Sequence, residues 1–278
     1  MSAPQAPPKP PPPPPPKSSG TPAVSAASRK LTVQSGKQSV FHKTVIYGPG
    51  SVGKSSLAAA IKEVGFRPLF LDIGDGTDFL DVDRVKPESW DELRAQLHDK
   101  DFMSKFNAVV IDDLTKAEEF SIRWTCDNVP TEKGTRVNSI EGYGFGKGLT
   151  HNYETFLQLL GDLDAQKRAG RQVICLAHDC VVAPENPEGE NYSQYQPRLQ
   201  MPASGKNSIR HRVLEWCDHM LFVNFDVSIS EDGKGVGAGS RCIYPSRMPG
   251  FWAKSRCLSD PIPYEKDSAE LWKQLFKK

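Results

Sequence analysis

The feature that most constrains this chain is the stretch from Gly48 to Ser55, which reads GPGSVGKS and matches the pattern G-x-x-x-x-G-K-[ST]. The apolar segment before it, residues 40–47, predicts a β-strand. The segment after it, SSLAAAIKEV, predicts a helix that ends at Gly65. A glycine-rich turn between a strand and a helix is the context in which this pattern binds phosphate groups. The sequence therefore predicts a nucleotide site.

Each part of this phosphate loop has a chemical task. Glycines let the backbone wrap closely, so that consecutive N–H groups point at phosphate oxygens, and the helix N-terminus adds partial positive charge. Lys54 is expected to reach the β- and γ-phosphates, and Ser55 to bind Mg²⁺. We therefore expect ATP and Mg²⁺ as ligands. The residues predicted to contact the nucleotide are Gly48, Pro49, Gly50, Ser51, Val52, Gly53, Lys54, Ser55 and Ser56.

The rest of the chain alternates short apolar runs with helical patterns. This alternation predicts an α/β fold, a three-layer core with a mostly parallel sheet. Further strands are predicted at 67–72, 106–111, 172–177, 220–225 and 241–244, and helices at 89–99, 115–126, 151–169, 208–217 and 268–276. Two long loops, 127–150 and 180–206, separate these elements, and loops of such length are often functional.

Composition divides the chain into two parts. Eleven of the 23 prolines fall within the first 22 positions, which predicts a disordered tail at residues 1–38. Docking of a partner domain on this tail is the alternative. Residues 39–278 are predicted to form the folded domain. Without a signal-peptide core, a membrane-length apolar run or a C-x-x-C pair, we expect a cytoplasmic protein with no membrane partner.

The net charge of +1 is unevenly distributed along the chain. Residues 1–40 carry five basic residues and no acid, so the remaining 238 residues carry a charge of −4. This balance excludes a globally basic nucleic-acid-binding core. Any contact with DNA must therefore come from local patches or from assembled subunits.

Several polar residues follow predicted strands. The run VVID ends at Asp112 and matches the Walker B pattern, in which the acid holds Mg²⁺. A catalytic base must orient the attacking water, and Asp72, Asp75 and Asp113 are the candidates. His178 ends another apolar run, where it is either a γ-phosphate sensor or a satisfied polar group at a strand end.

The order of motifs resembles the RecA-like ATPases of phages, the single-domain recombination and single-strand-annealing proteins also described as phage nucleotide-binding or AAA-type ATPases. The resemblance covers residues 40–265. The segments that carry it are GPGSVGKSS, LFLDIGDGTDFLDV, AVVIDDLT, YGFGKG, VICLAHD and FWAKSR. It implies a RecA-like core that forms homo-oligomers, rings or filaments, with ATP between subunits. It also implies action on single-stranded DNA.

The resemblance further assigns roles to basic and aromatic residues. The two long loops correspond to segments that line a DNA channel in RecA-like proteins, and aromatic residues beside cations suit stacking and phosphate contact. The expected DNA-binding residues are Lys133, Arg136, Tyr143, Phe145 and Lys147. The second loop adds Tyr192, Tyr195, Arg198 and Lys206, but its three glutamates favour the first loop or plain solvated surface. Lys254 and Arg256 resemble a K-x-R element that reaches the γ-phosphate of a neighbouring subunit; surface charge is the alternative.

One position departs from the family pattern. Gly74 stands where these ATPases usually carry an acid two residues after the strand-end aspartate. Either Asp75 or Asp113 supplies the base, or hydrolysis is slow. The leading hypothesis is an ATPase stimulated by single-stranded DNA. The alternatives are a nucleotide-gated DNA clamp with little hydrolysis and a helicase-type motor or loader, whereas a small-molecule kinase is disfavoured.

Overall fold

A mixed nine-stranded sheet organises the computed structural model, which describes residues 35–36, 41–187, 189–229, 235–265 and 268–276. One compact unit spans Ser39–Lys278. The predictions for the proline-rich tail fall on residues outside the described ranges, apart from positions 35 and 36. No helix in the described ranges combines the length and apolar character needed to cross a bilayer.

The strands, in chain order, are β1 (Lys43–Gly48), β2 (Pro68–Asp72), β3 (Asp83–Val85), β4 (Ala108–Asp112), β5 (Gln172–Val182), β6 (Gln194–Pro197), β7 (His219–Ile229), β8 (Gly235–Tyr244) and β9 (Ile262–Pro263). The helices are α1 (Lys54–Ala59), α2 (Trp90–His98), α3 (Lys100–Met103), α4 (Leu114–Asn128), α5 (Lys147–Arg168), α6 (Ile209–Trp216) and α7 (Glu270–Leu275). Two 3₁₀ turns, Ala60–Val64 and Ile140–Tyr143, continue α1 and precede α5.

The strand order is β3-β2-β4-β5-β1-β7-β8-β9, and the first six of these strands are parallel. Antiparallel pairing joins β8 to β7, β9 to β8 and β6 to the end of β5. The strand β5 thus lies between β1 and β4. In register, Gly48 lies beside His178, and Asp72 lies beside Asp112. Parallel alignment therefore brings the ends of four strands to one edge of the sheet.

Alternate residues of the strands fill two separate cores. Val45 and Tyr47 of β1 pack with α5 residues such as Phe156, whereas Ile46 packs with Leu57 of α1 and with Trp272 of α7. Strands buried on both faces read as continuous apolar runs, which is how the sequence predicted them. The three-layer, mostly parallel α/β fold is confirmed.

Three local predictions differ from the structure. The helix α5 begins at Lys147, four residues before the predicted start, because the segment before it contributes a first turn. The second long loop contains the end of β5 and all of β6, which pair with each other. The helix α4 begins at Leu114, one residue before the predicted start, and its N-cap Asp113 accepts a hydrogen bond from the Lys116 N–H at 2.8 Å.

A buried histidine lies at the opposite edge of the sheet, where β7 begins. His219 is fully buried, with Nε2 2.9 Å from His42 Nδ1 and Nδ1 2.8 Å from Ser255 Oγ. Burial, and next to it the neighbouring His42, lower the pKa of His219 to about 4. The folded protein therefore holds this ring neutral under conditions in which an unfolded chain protonates it.

We predict that acid weakens the fold through His219. The free energy of unfolding that depends on a neutral His219 is fully present above pH 6.5. It decreases by about 1.4 kcal/mol per pH unit as the pH falls from there towards 4. The free energy of unfolding, measured by urea denaturation between pH 7.5 and 5, should decline. The variant His219→Gln should show a shallower decline than the wild-type protein. Equal slopes in His219→Gln and wild type would contradict this assignment.

Candidate nucleotide site

The phosphate loop leaves β1 under tight steric constraint. A Cβ atom at Gly48 would lie 2.0 Å from the carbonyl oxygen of Val223, so only glycine fits beside β7. Gly53 has a φ of 97° and forms the N-terminal boundary of α1. A side chain there would also collide with Tyr264 and Arg241. Two glycines of the motif are thus required by backbone packing as well as by phosphate approach.

Residues distant in sequence support the loop from behind. The hydroxyl of Tyr264 donates to the carbonyl of Gly53 at 2.7 Å, and Arg241 donates to the carbonyl of Val52 at 3.0 Å. The indole N–H of Trp272 donates to the carbonyl of Leu57 at 2.7 Å. The sequence did not indicate these three residues, because no local motif marks a side chain that supports a backbone 189 to 215 positions away.

Lys54 is a buried cation inside the loop. Its ammonium donates to the carbonyls of Gly48 and Pro49, both at 2.9 Å. Burial lowers its pKa, while the carboxylates of Asp113, Asp179 and Asp112 oppose that effect. Among the described residues it forms no direct ion pair. An anion that enters the cavity would therefore supply the missing partner.

Ser55 and Asp112 form the second element of the site. The Ser55 hydroxyl donates to Asp112 Oδ2 at 2.6 Å. Burial raises the pKa of Asp112 to about 6, and the hydrogen bond from Ser55 opposes that rise. Gly76 lies beside this pair and leaves it uncovered by a side chain. A hydroxyl and a carboxylate in contact are hard oxygen ligands, so the residues present fit a bound Mg²⁺.

The candidate bases occupy three different environments. Asp72 is buried and accepts hydrogen bonds from Gly76 N at 3.0 Å and from Thr77 N at 3.1 Å, so its carboxylate is fully engaged in holding the loop. Asp75 is exposed, and its carboxylate lies 2.7 Å from Lys86 Nζ. The residues on either side of it, Gly74 and Gly76, line the cavity, but Asp75 does not. The expectation that either Asp75 or Asp113 supplies the base stays a prediction.

Asp113 and His178 form a pair next to the phosphate loop. Asp113 Oδ2 lies 3.2 Å from His178 Nε2, and both side chains line the cavity. Burial lowers the pKa of His178, and the Asp113 carboxylate opposes that shift. His178 is thus engaged with a carboxylate that itself faces the cavity, an arrangement suited to orienting a water molecule.

These side chains enclose a cavity of about 530 Å³. Its lining combines phosphate-loop residues, the Walker B acid, the Asp113–His178 pair and the loop after β2. The lining residues are Gly50, Ser51, Gly53, Lys54, Ser55, Ser56, Gly74, Gly76, Phe79, Leu80, Asp112, Asp113, Lys116 and His178. The volume lies within the range typical of small-molecule sites.

Lys254 and Arg256 lie at the opposite edge of the sheet. The backbone of Lys254 pairs with Met220 near the start of β7, and its Nζ donates to the carbonyl of Leu214 at the end of α6, at 2.7 Å. Arg256 Nε lies 3.0 Å from Asp218 Oδ1. Because the parallel strands run roughly 10 Å further to Gly48, neither cation reaches the phosphate loop of its own subunit.

The predicted DNA-binding residues of the first loop gather around a groove of about 600 Å³. Lys133, Tyr143, Phe145 and Lys147 line it, and Arg136 is exposed nearby in sequence. Phe145 is fully exposed at a φ of 48°. Tyr143 differs from expectation: it is buried, and its hydroxyl donates to the carbonyls of Thr125 and Val129 at 2.9 and 2.6 Å, so it anchors the loop.

One comparison with known proteins agrees with the phosphate-loop site. A family model described as an AAA domain, AAA_24, matches residues 41–257. No curated protein matches the sequence. Among solved structures, the chain is similar to the flagellar accessory protein FlaH from Methanocaldococcus jannaschii, at 9% identity and a TM-score of 0.37, over 75% of this chain and 80% of that one. Since the family model covers well over half of its length, the chain belongs to the AAA_24 family and carries a P-loop ATPase-type AAA domain.

Proposed function

We propose that this chain binds ATP and Mg²⁺ in the phosphate-loop cavity, hydrolyses the ATP, and acts on single-stranded DNA as a cytoplasmic homo-oligomer, a ring or filament, in recombination or annealing. One observation carries the nucleotide part. The buried ammonium of Lys54 and the Ser55–Asp112 pair meet at one cavity of nucleotide size. A cation that lacks a direct anionic partner next to a pair of oxygen ligands suits a metal–triphosphate.

The proposed roles follow from the contacts. Lys54 binds the β- and γ-phosphates, and Ser55 and Asp112 hold Mg²⁺, which neutralises charge on the phosphate oxygens when bound. Asp113, supported by His178, accepts a hydrogen bond from the attacking water. Asp113 is the strongest candidate for this role because the Asp72 carboxylate is engaged by the loop and that of Asp75 by Lys86.

The DNA part is supported by the groove around Phe145. An exposed ring beside Lys133 and Lys147 offers a stacking surface together with positive charge, which is how single strands are bound without sequence preference. Glu132 lies 2.5 Å from Lys147 and competes with a phosphate for that cation. Because lysines would make the phosphate contacts, DNA binding is expected to weaken at high salt.

A nucleotide-gated clamp with little turnover is the second candidate. The observation that favours it is the loop after β2, where Gly74 lines the cavity and the Asp75 carboxylate points at Lys86. That loop therefore offers no side-chain carboxylate for the attacking water. Turnover then depends on Asp113 alone, which also caps α4.

The first prediction concerns Lys54→Ala. Loss of the ammonium should remove ATP binding and hydrolysis, because the phosphates lose their buried cation. ATP affinity is measured with a fluorescent analogue, and turnover as phosphate release with and without single-stranded or duplex DNA at two salt concentrations. Lys100→Ala, at an exposed lysine of α3, should behave as wild type. Unchanged ATP affinity and turnover in Lys54→Ala would contradict the assignment of the nucleotide site. Wild-type turnover that does not change when single-stranded DNA is added would contradict DNA stimulation.

The second prediction concerns Phe145→Ala. Loss of a stacking ring should weaken binding to an oligothymidine by about 1–3 kcal/mol, or roughly 5- to 150-fold in the dissociation constant. Fluorescence anisotropy at fixed salt measures the change. Tyr192→Ala tests the second loop in parallel and should have a smaller effect. The reverse order of effects would move the DNA contact to the second loop.

The third prediction concerns Gly74→Glu. A Cβ atom at Gly74 meets nothing within 4 Å, so a side chain fits, and a glutamate there can reach the cavity that Gly74 lines. If the missing acid limits hydrolysis, turnover should rise by at least about 10²-fold, the low end for a positioned general base. Gly74→Gln, which has the same shape without the charge, should give no such rise. An equal effect of both variants would rule out base catalysis as the cause.

A further inference from the structure

Arg198 lies directly across from His178, in the second long loop, where the sequence made it a possible DNA contact. Its N–H donates to the carbonyl of His178 at 2.8 Å, which continues the antiparallel ladder after the Asp179–Pro197 pair. Residues opposite each other in an antiparallel ladder present their side chains on the same face. Arg198 therefore shares a face with His178, whose ring lines the nucleotide cavity.

A threonine of the Walker B helix fixes this position. The Thr115 hydroxyl accepts a hydrogen bond from His178 N at 3.2 Å and lies 3.3 Å from the carbonyl of Arg198, to which it donates. The backbones of β5, β6 and α4 are thus joined at one side chain next to Asp113. This junction holds the backbone of Arg198 beside His178, which lines the cavity, and it accounts for the burial of Thr115.

The guanidinium of Arg198 is exposed, and no ion pair or hydrogen bond from it occurs within the described part of the chain. The two lysines that line the cavity have protein partners: Lys54 donates to two loop carbonyls, and Lys116 lies 2.8 Å from Glu119. The positive charge of Arg198 also lowers the pKa of both Lys54 and His178, which places it within electrostatic reach of the two residues.

We propose that Arg198 binds the terminal phosphate of the nucleotide in its own subunit, as an internal arginine finger supplied by the hairpin of β5 and β6. This inference rests on the proposed ATPase function and names a further residue of that site. It differs from the expectation drawn from Lys254 and Arg256, which lie at the far edge of the sheet and are engaged there by α6 and Asp218.

The chemistry needs such a charge. In hydrolysis the water oxygen bonds to the terminal phosphorus, and the bond to the bridging oxygen breaks. ADP leaves with that electron pair, and the water proton passes through Asp113 to the phosphate product or the solvent. Negative charge spreads over the terminal phosphoryl oxygens during this transfer, so a guanidinium beside them stabilises the transition state more than the bound substrate.

The test compares Arg198→Ala, Arg198→Lys and the control Arg212→Ala, an exposed arginine of α6 that pairs with Glu215. Turnover is measured, together with the affinities for ADP and for a non-hydrolysable ATP analogue. We expect Arg198→Ala to lose about 10²- to 10³-fold in turnover and to lose its preference for the analogue over ADP, with ADP affinity unchanged. Arg198→Lys should recover part of both, and Arg212→Ala should match wild type.

Mixing separates an internal finger from one shared between subunits. If Arg198 serves its own subunit, Arg198→Ala mixed with Lys54→Ala regains no activity, because every site carries one defect. Recovery on mixing would overturn the internal assignment. Wild-type affinities and turnover in Arg198→Ala would overturn the proposal while leaving the ATPase intact. A wild-type protein that binds no nucleotide would instead contradict the proposed function itself.

Discussion

The placement of β5 between β1 and β4 is the constraint on which the site depends. Because these strands are parallel and in register, Gly48, His178 and Asp112 all reach the same edge of the sheet. Along the chain, Asp112 lies 64 positions after Gly48 and 66 positions before His178. Each strand contributes one component: the phosphate loop, the histidine beside it, and the acid that accepts the Ser55 hydrogen bond. The sheet thus gathers at one edge the groups to which we assign the binding of nucleotide and the orientation of water.

The two buried charged groups of the cavity, Lys54 and Asp112, have polar partners but no direct ion pair among the described residues. Lys54 and Asp112 are both buried, yet their direct partners are loop carbonyls and a hydroxyl, respectively. Burial lowers the pKa of the lysine and raises that of the aspartate, so both charged forms are disfavoured before a ligand binds. Perturbed groups of opposite sign in one cavity are typical of functional sites, where a metal–triphosphate would satisfy both.

Local patterns predicted the elements well, because buried strands read as apolar runs and the phosphate loop has its own motif. The predicted helix at 89–99 corresponds to α2, where Ser89 accepts a hydrogen bond from Glu92 N at 3.2 Å. Local patterns failed where a residue's partner is distant. The start of α4 was predicted at Thr115, but the Thr115 hydroxyl bonds β5 and the segment after β6, and the helix begins one residue earlier. Lys254 and Arg256 lie away from the phosphate loop of their own subunit, so their expected contact with a neighbouring subunit stays a prediction. Local patterns do not reveal these positions, because both depend on strand order.

The support behind the phosphate loop has a consequence for how the protein is made. Tyr264 and Trp272 bond to Gly53 and Leu57 over separations of 211 and 215 positions. During synthesis the nucleotide motif leaves the ribosome early, but its backbone gains this support only after nearly the whole domain has followed. A nascent chain therefore carries the motif long before these two hydrogen bonds can form.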